Sequence, residues 1–292
     1  MKPLLTPNYI GRFAPSPTGQ LHLGSVYTAL ASYLDARACG GLWKLRFDDL
    51  DTPRNVQGAV SDILHTLDVL GLHWDGEVDY QHLHTSEYED VLAELIKKNR
   101  VYRCVCSRKN LSRVYDKTCR NAAISHSLPH SLRLRVENKT LCIHDRLQDQ
   151  LIQNVAIDYG DFILKRKDAI IAYQFAVVID DARQHITDVV RGVDLLYETP
   201  KQCYLQHCLT LPSPNYCHLP VLIDKNGKKL SKTTLASAVD IQSPSDVLVQ
   251  LLTLLRQDPP SQLQYASVAD ILTWAIAHWD SEKLKGITTI VV

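Results

Sequence analysis

The chain has 292 residues, enough for one large domain or two smaller ones with a sizeable core. Hydrophobic residues make up 45% and charged residues 22%, the balance of a soluble globular protein, and no apolar run is long enough to span a bilayer. Lys plus Arg and Asp plus Glu both number 32, which excludes a broad basic coat and leaves only local patches for any nucleic-acid contact.

The opening MKPLLTPNYIGRF holds too short an apolar segment for a secretory signal, so the cytoplasm is the default compartment. Gly11 to Ser25 then reads GRFAPSPTGQLHLGS, a proline-stiffened loop. It feeds an amphipathic helix carried by Val26, Ala29, Leu30, Tyr33 and Leu34. The helix N-terminus offers N–H groups and a positive dipole end, which suits phosphate, and Gly24 admits close approach to the backbone. Gly40-Gly41 stops that helix, and Leu42–Phe47 reads as a strand. The loop after it, Asp48-Asp49-Leu50-Asp51-Thr52-Pro53-Arg54, puts carboxylates at the strand's carboxyl end. That is either a solvated acidic turn or a holder for an ammonium group. Loop, helix and strand with chemistry at strand ends predict an open parallel α/β sheet. Val56, Val60, Ile63, Leu64, Leu67 and Leu70 mark a second helix ending at Gly71. Ser86 and Glu89 have the spacing of a capping box before a third helix that ends near Asn99.

Three of the eight cysteines, Cys104, Cys106 and Cys119, then cluster in a polar stretch. In a cytosolic chain such clustering points to metal, and thiolates select zinc, whose structural sites take four ligands. His126, His130 and Tyr115 are candidates for the fourth. Residues 131–165 alternate short apolar runs with charges and read as sheet edges within an insertion. Ala169–Asp180 is a near-continuous apolar run, interrupted at Tyr173 and Gln174, and reads as a buried strand. Arg191 follows, a residue suited to bidentate carboxylate binding or to a structural pair with Asp188 or Asp194. Thr199-Pro200 starts a helix through Leu209, and Val221–Ile223 is a strand leading into Asp224-Lys225-Asn226-Gly227-Lys228-Lys229-Leu230-Ser231-Lys232. Lysines on such a turn are either solvated or aimed at phosphate. Beyond Ala236 come two helices, one opened by Ser243-Pro244 and one over Tyr265–Trp279.

The string Arg12-Phe13-Ala14-Pro15-Ser16-Pro17-Thr18-Gly19, with His22-Leu23-Gly24 and the later Lys229-Leu230-Ser231-Lys232, resembles the paired ATP-binding motifs of class I aminoacyl-tRNA synthetases. The longer string resembles the glutamyl/glutaminyl branch, and the likeness spans roughly residues 9–235. The cysteine region is similar to that of the glutamyl-queuosine-tRNA(Asp) synthetases, which pair Cys-x-Cys with a later Tyr-x-x-x-Cys; Tyr115-Asp116-Lys117-Thr118-Cys119 matches that spacing. The resemblance implies an α/β fold with a Rossmann-type class I catalytic domain over 1–235. It further implies a zinc-bearing insertion over about 101–168, a helical C-terminal subdomain over 236–292, and no anticodon-binding domain.

The implied reaction is ATP-dependent activation of L-glutamate without tRNA, then transfer to the queuosine of tRNA(Asp), by a monomer. His22, Gly24 and Lys232 would serve catalysis, and Lys229 and Ser231 would join them around ATP and its Mg²⁺. Arg12 would pair with the glutamate side-chain carboxylate, within a pocket wall made by Phe13, Ala14, Pro15 and Ser16. Asp48 would take the ammonium group; the glutamyl branch often has Glu there, one methylene longer. Tyr173 and Arg191 would orient the rest. Cys104, Cys106, Tyr115 and Cys119 would hold one structural zinc ion. Two other readings are a truncated glutamyl-tRNA synthetase that charges a tRNA 3′ end and a synthetase-like binding module without catalysis.

Overall fold

The computed structural model describes residues 8–107, 114–229 and 239–292. Strand β1 (Ile10–Phe13) leads through the proline loop to α1 (Leu23–Ala38) and β2 (Leu42–Phe47). Helix α2 (Ala59–Val69), the short β3 (Asp79–Tyr80) and α3 (Thr85–Lys97) follow. A second group comprises β4 (Val101–Cys104), β5 (Ser131–Leu134), β6 (Thr140–Asp145), β7 (Asp149–Asn154), the one-turn α4 (Val155–Asp158) and β8 (Ile163–Lys165). The chain then returns through α5 (Tyr173–Arg183), β9 (Asp188–Gly192), α6 (Thr199–Leu209), β10 (Asn215–Leu219) and β11 (Val221–Ile223). It finishes with α7 (Pro244–Leu254), α8 (Val268–Ala277) and β12 (Thr289–Val291).

The expected parallel α/β sheet is present. β1, β2 and β3 lie side by side and parallel, and β9 and β10 form a second parallel pair. The two sets abut where Thr187 donates its N–H to the Ile10 carbonyl at 2.9 Å. β1 therefore has β2 on one side and the β9 strand line on the other. The strand order reverses at that point, which is where open α/β sheets bind ligands. β6 joins β10 in parallel at Tyr216–Asp145, and β7 pairs antiparallel with β6. Both lie within the span expected for the insertion, yet they extend the sheet of β9 and β10. β4, β5 and β8 form a separate antiparallel sheet.

Ala169–Asp180 is not a strand. Ala169 is in a left-handed bend, only the short link through Ile171 pairs with β8, Ala172 donates its N–H to Leu164, and α5 begins at Tyr173. Phe175 to Asp181 are all buried, around every side of the helix. A helix buried all round loses its 3.6-residue pattern and reads like a buried strand. The two polar interruptions, Tyr173 and Gln174, are its first turn. The capping box at Ser86 is also absent: α3 starts at Thr85 with His84 at the cap position and no side-chain cap bond. Glu89 pairs instead with Lys165 at 2.5 Å.

The main core joins Val26, Leu30 and Leu34 of α1 to Trp43, Leu45 and Phe47 of β2. Leu248 and Leu251 of α7 and Ile271 of α8 are buried in the same cluster. β12 pairs in parallel with β11, so the tail holds a strand as well as helices and packs directly on the sheet's helical layer. Among the described residues no helix is long and apolar enough to cross a membrane. Gly71 reports on the packing of the tail. It has φ +68°, and a Cβ there would sit 2.9 Å from Leu272 and Val268 of α8. Gly71→Ala should cost about 1–3 kcal/mol, from left-handed strain and overpacking together. Urea unfolding followed by tryptophan fluorescence measures this, and an unchanged midpoint would mean that α8 does not press on the end of α2.

Candidate active site

A cavity of about 510 Å³ opens at the carboxyl ends of β1, β2, β9 and β10. Arg12 and Phe13 end β1, Ala14 to Ser16 leave it, Asp48 follows β2, Arg191 ends β9, and Tyr173 starts α5. His22 and Gly24 come from the start of α1, and Lys229 from beyond β11. All these expected site residues line the one cavity. Ser231 and Lys232 lie outside the described residues.

The start of α1 is organised by His22. It is the N-cap residue, its Nδ1 accepting the Ser25 N–H at 3.2 Å while Nε2 lies 3.0 Å from the Ser25 hydroxyl. The imidazole thus does the work usually given to Ser or Asp. Lys229 makes a 2.6 Å ion pair with Asp194, which also lines the cavity.

Beneath the cavity lies a charge network that the sequence reading missed. Arg46, in β2, has a fully buried side chain. Its Nε donates to Asp48 at 2.9 Å, and its Nη1 donates to Asp181 and to Gln184, both at 2.8 Å. Asp180 lies 3.7 Å away and accepts from Gln81 and Tyr88 at 2.8 and 2.7 Å. Asp181 also takes Arg12 at 3.4 Å. Burial pushes the Asp48 carboxyl up to about 6, with Asp180 and Asp181 adding to the rise and Arg46 opposing it. Asp181 stays well ionised: Arg12 and Arg46 outweigh its burial and hold it below the usual range. Asp48 also donates its N–H to the Pro15 carbonyl at 3.1 Å, tying the acidic loop to the proline loop.

Arg191 is equally fixed. Its Nε faces His218 at 3.0 Å, Nη2 donates to Thr199 at 2.8 Å, and Nη1 meets the Tyr173 hydroxyl at 3.5 Å. It pairs with neither Asp188 nor Asp194, the two structural partners its sequence neighbourhood offered; Asp188 accepts from Thr187 and Asn215.

The cysteine cluster assembles as well. The sulfurs of Cys104, Cys106 and Cys119 lie within 4.8 Å of one another. The Tyr115 hydroxyl is 3.4 Å from Cys104 and 3.8 Å from Cys106, and accepts the Cys119 N–H at 2.9 Å. Three sulfurs and a phenol oxygen gathered this closely are a donor set compatible with a tetrahedral zinc ion. Burial raises the Cys104 thiol, but Tyr115 and Arg133 overcome it and bring it down to about 7. Burial and the Cys119 contact push Cys106 up to about 11. His126 is engaged by Arg103 at 2.7 Å, and His130 by the Leu128 carbonyl at 2.6 Å. Tyr115 is thus the one of the three fourth-ligand candidates that stands at the sulfurs.

Residues 10–256 match the profile of the tRNA synthetases class I (E and Q), catalytic domain. The glutamyl-Q tRNA(Asp) synthetase of Ectopseudomonas mendocina is 45% identical over 286 residues, covering 97% of each chain. The protein of that name from Pseudomonas aeruginosa is 42% identical over 98% of each. The chain belongs to the glutamyl-Q tRNA(Asp) synthetase family. Two solved glutamate tRNA ligases share the fold. That of Elizabethkingia meningosepticum, solved with its amino acid, has a TM-score of 0.80 at 22% identity, and the chain spans 96% of its own length and 66% of that protein. That of Elizabethkingia anophelis gives the same score, with 97% and 68% covered.

For this member of the family, Arg46 should be the most costly single loss near the site. Arg46→Met leaves Asp48, Asp180 and Asp181 buried together without their shared cation. Breaking a buried pair this way typically costs about 3–5 kcal/mol. Urea denaturation at neutral pH measures it; a loss under about 1 kcal/mol would mean that the carboxylates find other partners.

Proposed function

We propose that this chain activates L-glutamate with ATP and transfers the glutamyl group to queuosine in the anticodon of tRNA(Asp). The observation that carries the amino-acid half is the charge arrangement of the cavity wall. Among the residues assigned to the amino acid, Arg12 and Arg191 supply two cations and Asp48 a carboxylate; Arg54, Asp194 and Lys229 also line the cavity. An amino dicarboxylate has the complementary set, two negative groups and one positive. Arg12 takes the side-chain carboxylate and so disfavours glutamine, whose neutral amide accepts a hydrogen bond from the guanidinium but forms no ion pair. Asp48 takes the ammonium group. Tyr173 and Arg191 orient the substrate, and Phe13, Ala14, Pro15 and Ser16 close the wall.

ATP occupies the His22–Gly24 side, where the N-terminus of a sixteen-residue helix favours phosphate. Lys229, Ser231 and Lys232 neutralise the pyrophosphate as it departs, and Mg²⁺ accompanies the nucleotide. In the first step a glutamate carboxylate oxygen attacks the α-phosphorus, and the bond to pyrophosphate breaks. In the second, a hydroxyl of the acceptor attacks the acyl carbon, loses its proton, and expels AMP. Positioning and charge neutralisation suffice for both steps, with no covalent nucleophile from the protein. The cyclopentene diol of queuosine resembles the ribose diol of a tRNA end, so one pocket geometry serves either acceptor. The near-neutral chain suits a small single-stranded loop read by local contacts. Cys104, Cys106, Cys119 and Tyr115 would hold a zinc ion as a structural clip on the β4 segment.

Three measurements follow. Labelled glutamate should pass to tRNA(Asp) from queuosine-making cells and not to the unmodified transcript; charging of tRNA(Glu) at its 3′ end instead would favour a truncated glutamyl-tRNA synthetase. The second concerns pH. Glutamate's ammonium needs ionised Asp48, whose carboxyl titrates at about 6 in the free protein. Protons therefore compete with substrate: the KM for glutamate should be flat above about pH 7 and rise roughly tenfold per unit well below 6. Asp48→Asn should have a high KM with that acidic limb removed, and an unchanged limb would assign the titration to another group. The third is metal analysis. One zinc per purified chain is expected, and Cys119→Ser should lose it. Zinc-free wild type would overturn the site, whereas Tyr115→Phe retaining metal that His126→Ala loses would reassign the fourth ligand.

A further inference from the structure

Arg191 cannot give up its proton, so its Nε is always a donor. The atom facing that Nε is the Nε2 of His218, 3.0 Å away. For this contact to be a hydrogen bond, Nε2 must be the unprotonated nitrogen. The imidazole proton then sits on Nδ1, and Nδ1 faces Asp145 Oδ2 at 2.5 Å. The side chains of both His218 and Asp145 are fully buried. Asp145 is itself anchored: its Oδ1 accepts the N–H groups of Leu147, Gln148 and His218 at 3.0, 2.9 and 3.2 Å. Burial favours the neutral imidazole, and Arg191 adds to that, with Asp145 opposing.

The chain of contacts therefore runs Asp145, His218, Arg191, with a defined donor and acceptor at each step. A protonated Nε2 would set two donors against each other and push the guanidinium away. With Nε fixed by His218 and Nη2 by Thr199, the guanidinium plane has one orientation, and its Nη1 edge meets Tyr173 on the cavity wall. Asp145 belongs to β6, so a strand from within the expected insertion reaches the amino-acid pocket through His218.

We propose that His218, held by Asp145 as the Nδ1–H tautomer, is the positioning residue that aims Arg191 at the amino-acid substrate. This rests on the glutamate reading of the cavity given above. Two substitutions separate positioning from packing. His218→Asn keeps an N–H near the Nδ1 position for Asp145 and leaves Arg191 without its acceptor. His218→Gln can return a carbonyl oxygen to the Nε2 position.

The test is ATP–pyrophosphate exchange by the full chain, with glutamate and ATP varied separately and thermal unfolding measured alongside. His218→Asn should raise the glutamate KM by about 10- to 100-fold, the range for losing a hydrogen bond to a charged group, while the ATP KM stays within about threefold. His218→Gln should recover most of that loss. A folded His218→Asn whose glutamate KM lies within about twofold of wild type would overturn the proposal, as would equal losses for Asn and Gln. If His218→Asn does not fold, nitrogen NMR of the wild-type imidazole decides. Protonated Nδ1 with bare Nε2 supports the proposal, and the reverse tautomer overturns it. A wild type without glutamate-dependent exchange would sink the glutamate reading instead, and the proposal with it as a statement about substrate.

Discussion

Arg46 carries a full positive charge on a fully buried side chain, and three aspartates surround it. A lone guanidinium there would be prohibitively costly, and so would any of the carboxylates alone. Together they form a charge cluster with each member fixed by at least one hydrogen bond. The active site is built on its upper surface. Asp48 is the member that reaches the cavity after β2, and Asp181 is the one that reaches across to Arg12 from α5. The cluster thus sets the positions of a carboxylate and a guanidinium that both line the same pocket. It does so with side chains from elements more than a hundred residues apart in sequence.

The unequal titration of these carboxylates follows from the same arrangement. Asp181 has two cations against it and is held low, whereas Asp48 has one and is pushed high. An amino group arriving at Asp48 supplies the missing second cation. The free pocket is therefore short of positive charge at the spot where an ammonium group would bind. Topology does the rest. The reversal of strand order between β2 and β9 around β1 opens the crevice, and the carboxyl ends of four strands deliver the residues to it.

Much of the site was legible in the sequence because its signals are local. The proline loop, the His22–Gly24 helix start and the acidic loop after β2 each announce themselves within a few residues. The three cysteines do the same through their clustering, whereas Tyr115 stands out from His126 and His130 only through the family resemblance. Arg46 gave no such signal. It shares the polar stripe of β2 with Lys44, and nothing in LWKLRF says that this stripe meets another element rather than water. Asp180 and Asp181 were visible only as the end of an apolar run. Because α5 is buried all round, that run reads like a strand, which would put both carboxylates at a tip instead of on a helix facing Arg46. His218 was hidden for a related reason: its partners, Asp145 and Arg191, are 73 and 27 residues away and no local pattern joins them.

The buried Arg46 cluster holds the cavity ready for an amino dicarboxylate with one fixed orientation. A crystal structure of the chain with glutamate bound tests it most directly. The side-chain carboxylate should lie on Arg12 and the ammonium group on Asp48, with the Arg46 contacts to Asp48 and Asp181 unchanged from those of the free protein. Glutamate lying in the reverse sense, with its ammonium group away from Asp48, or an Arg46 that leaves Asp181 when the substrate enters, would contradict it.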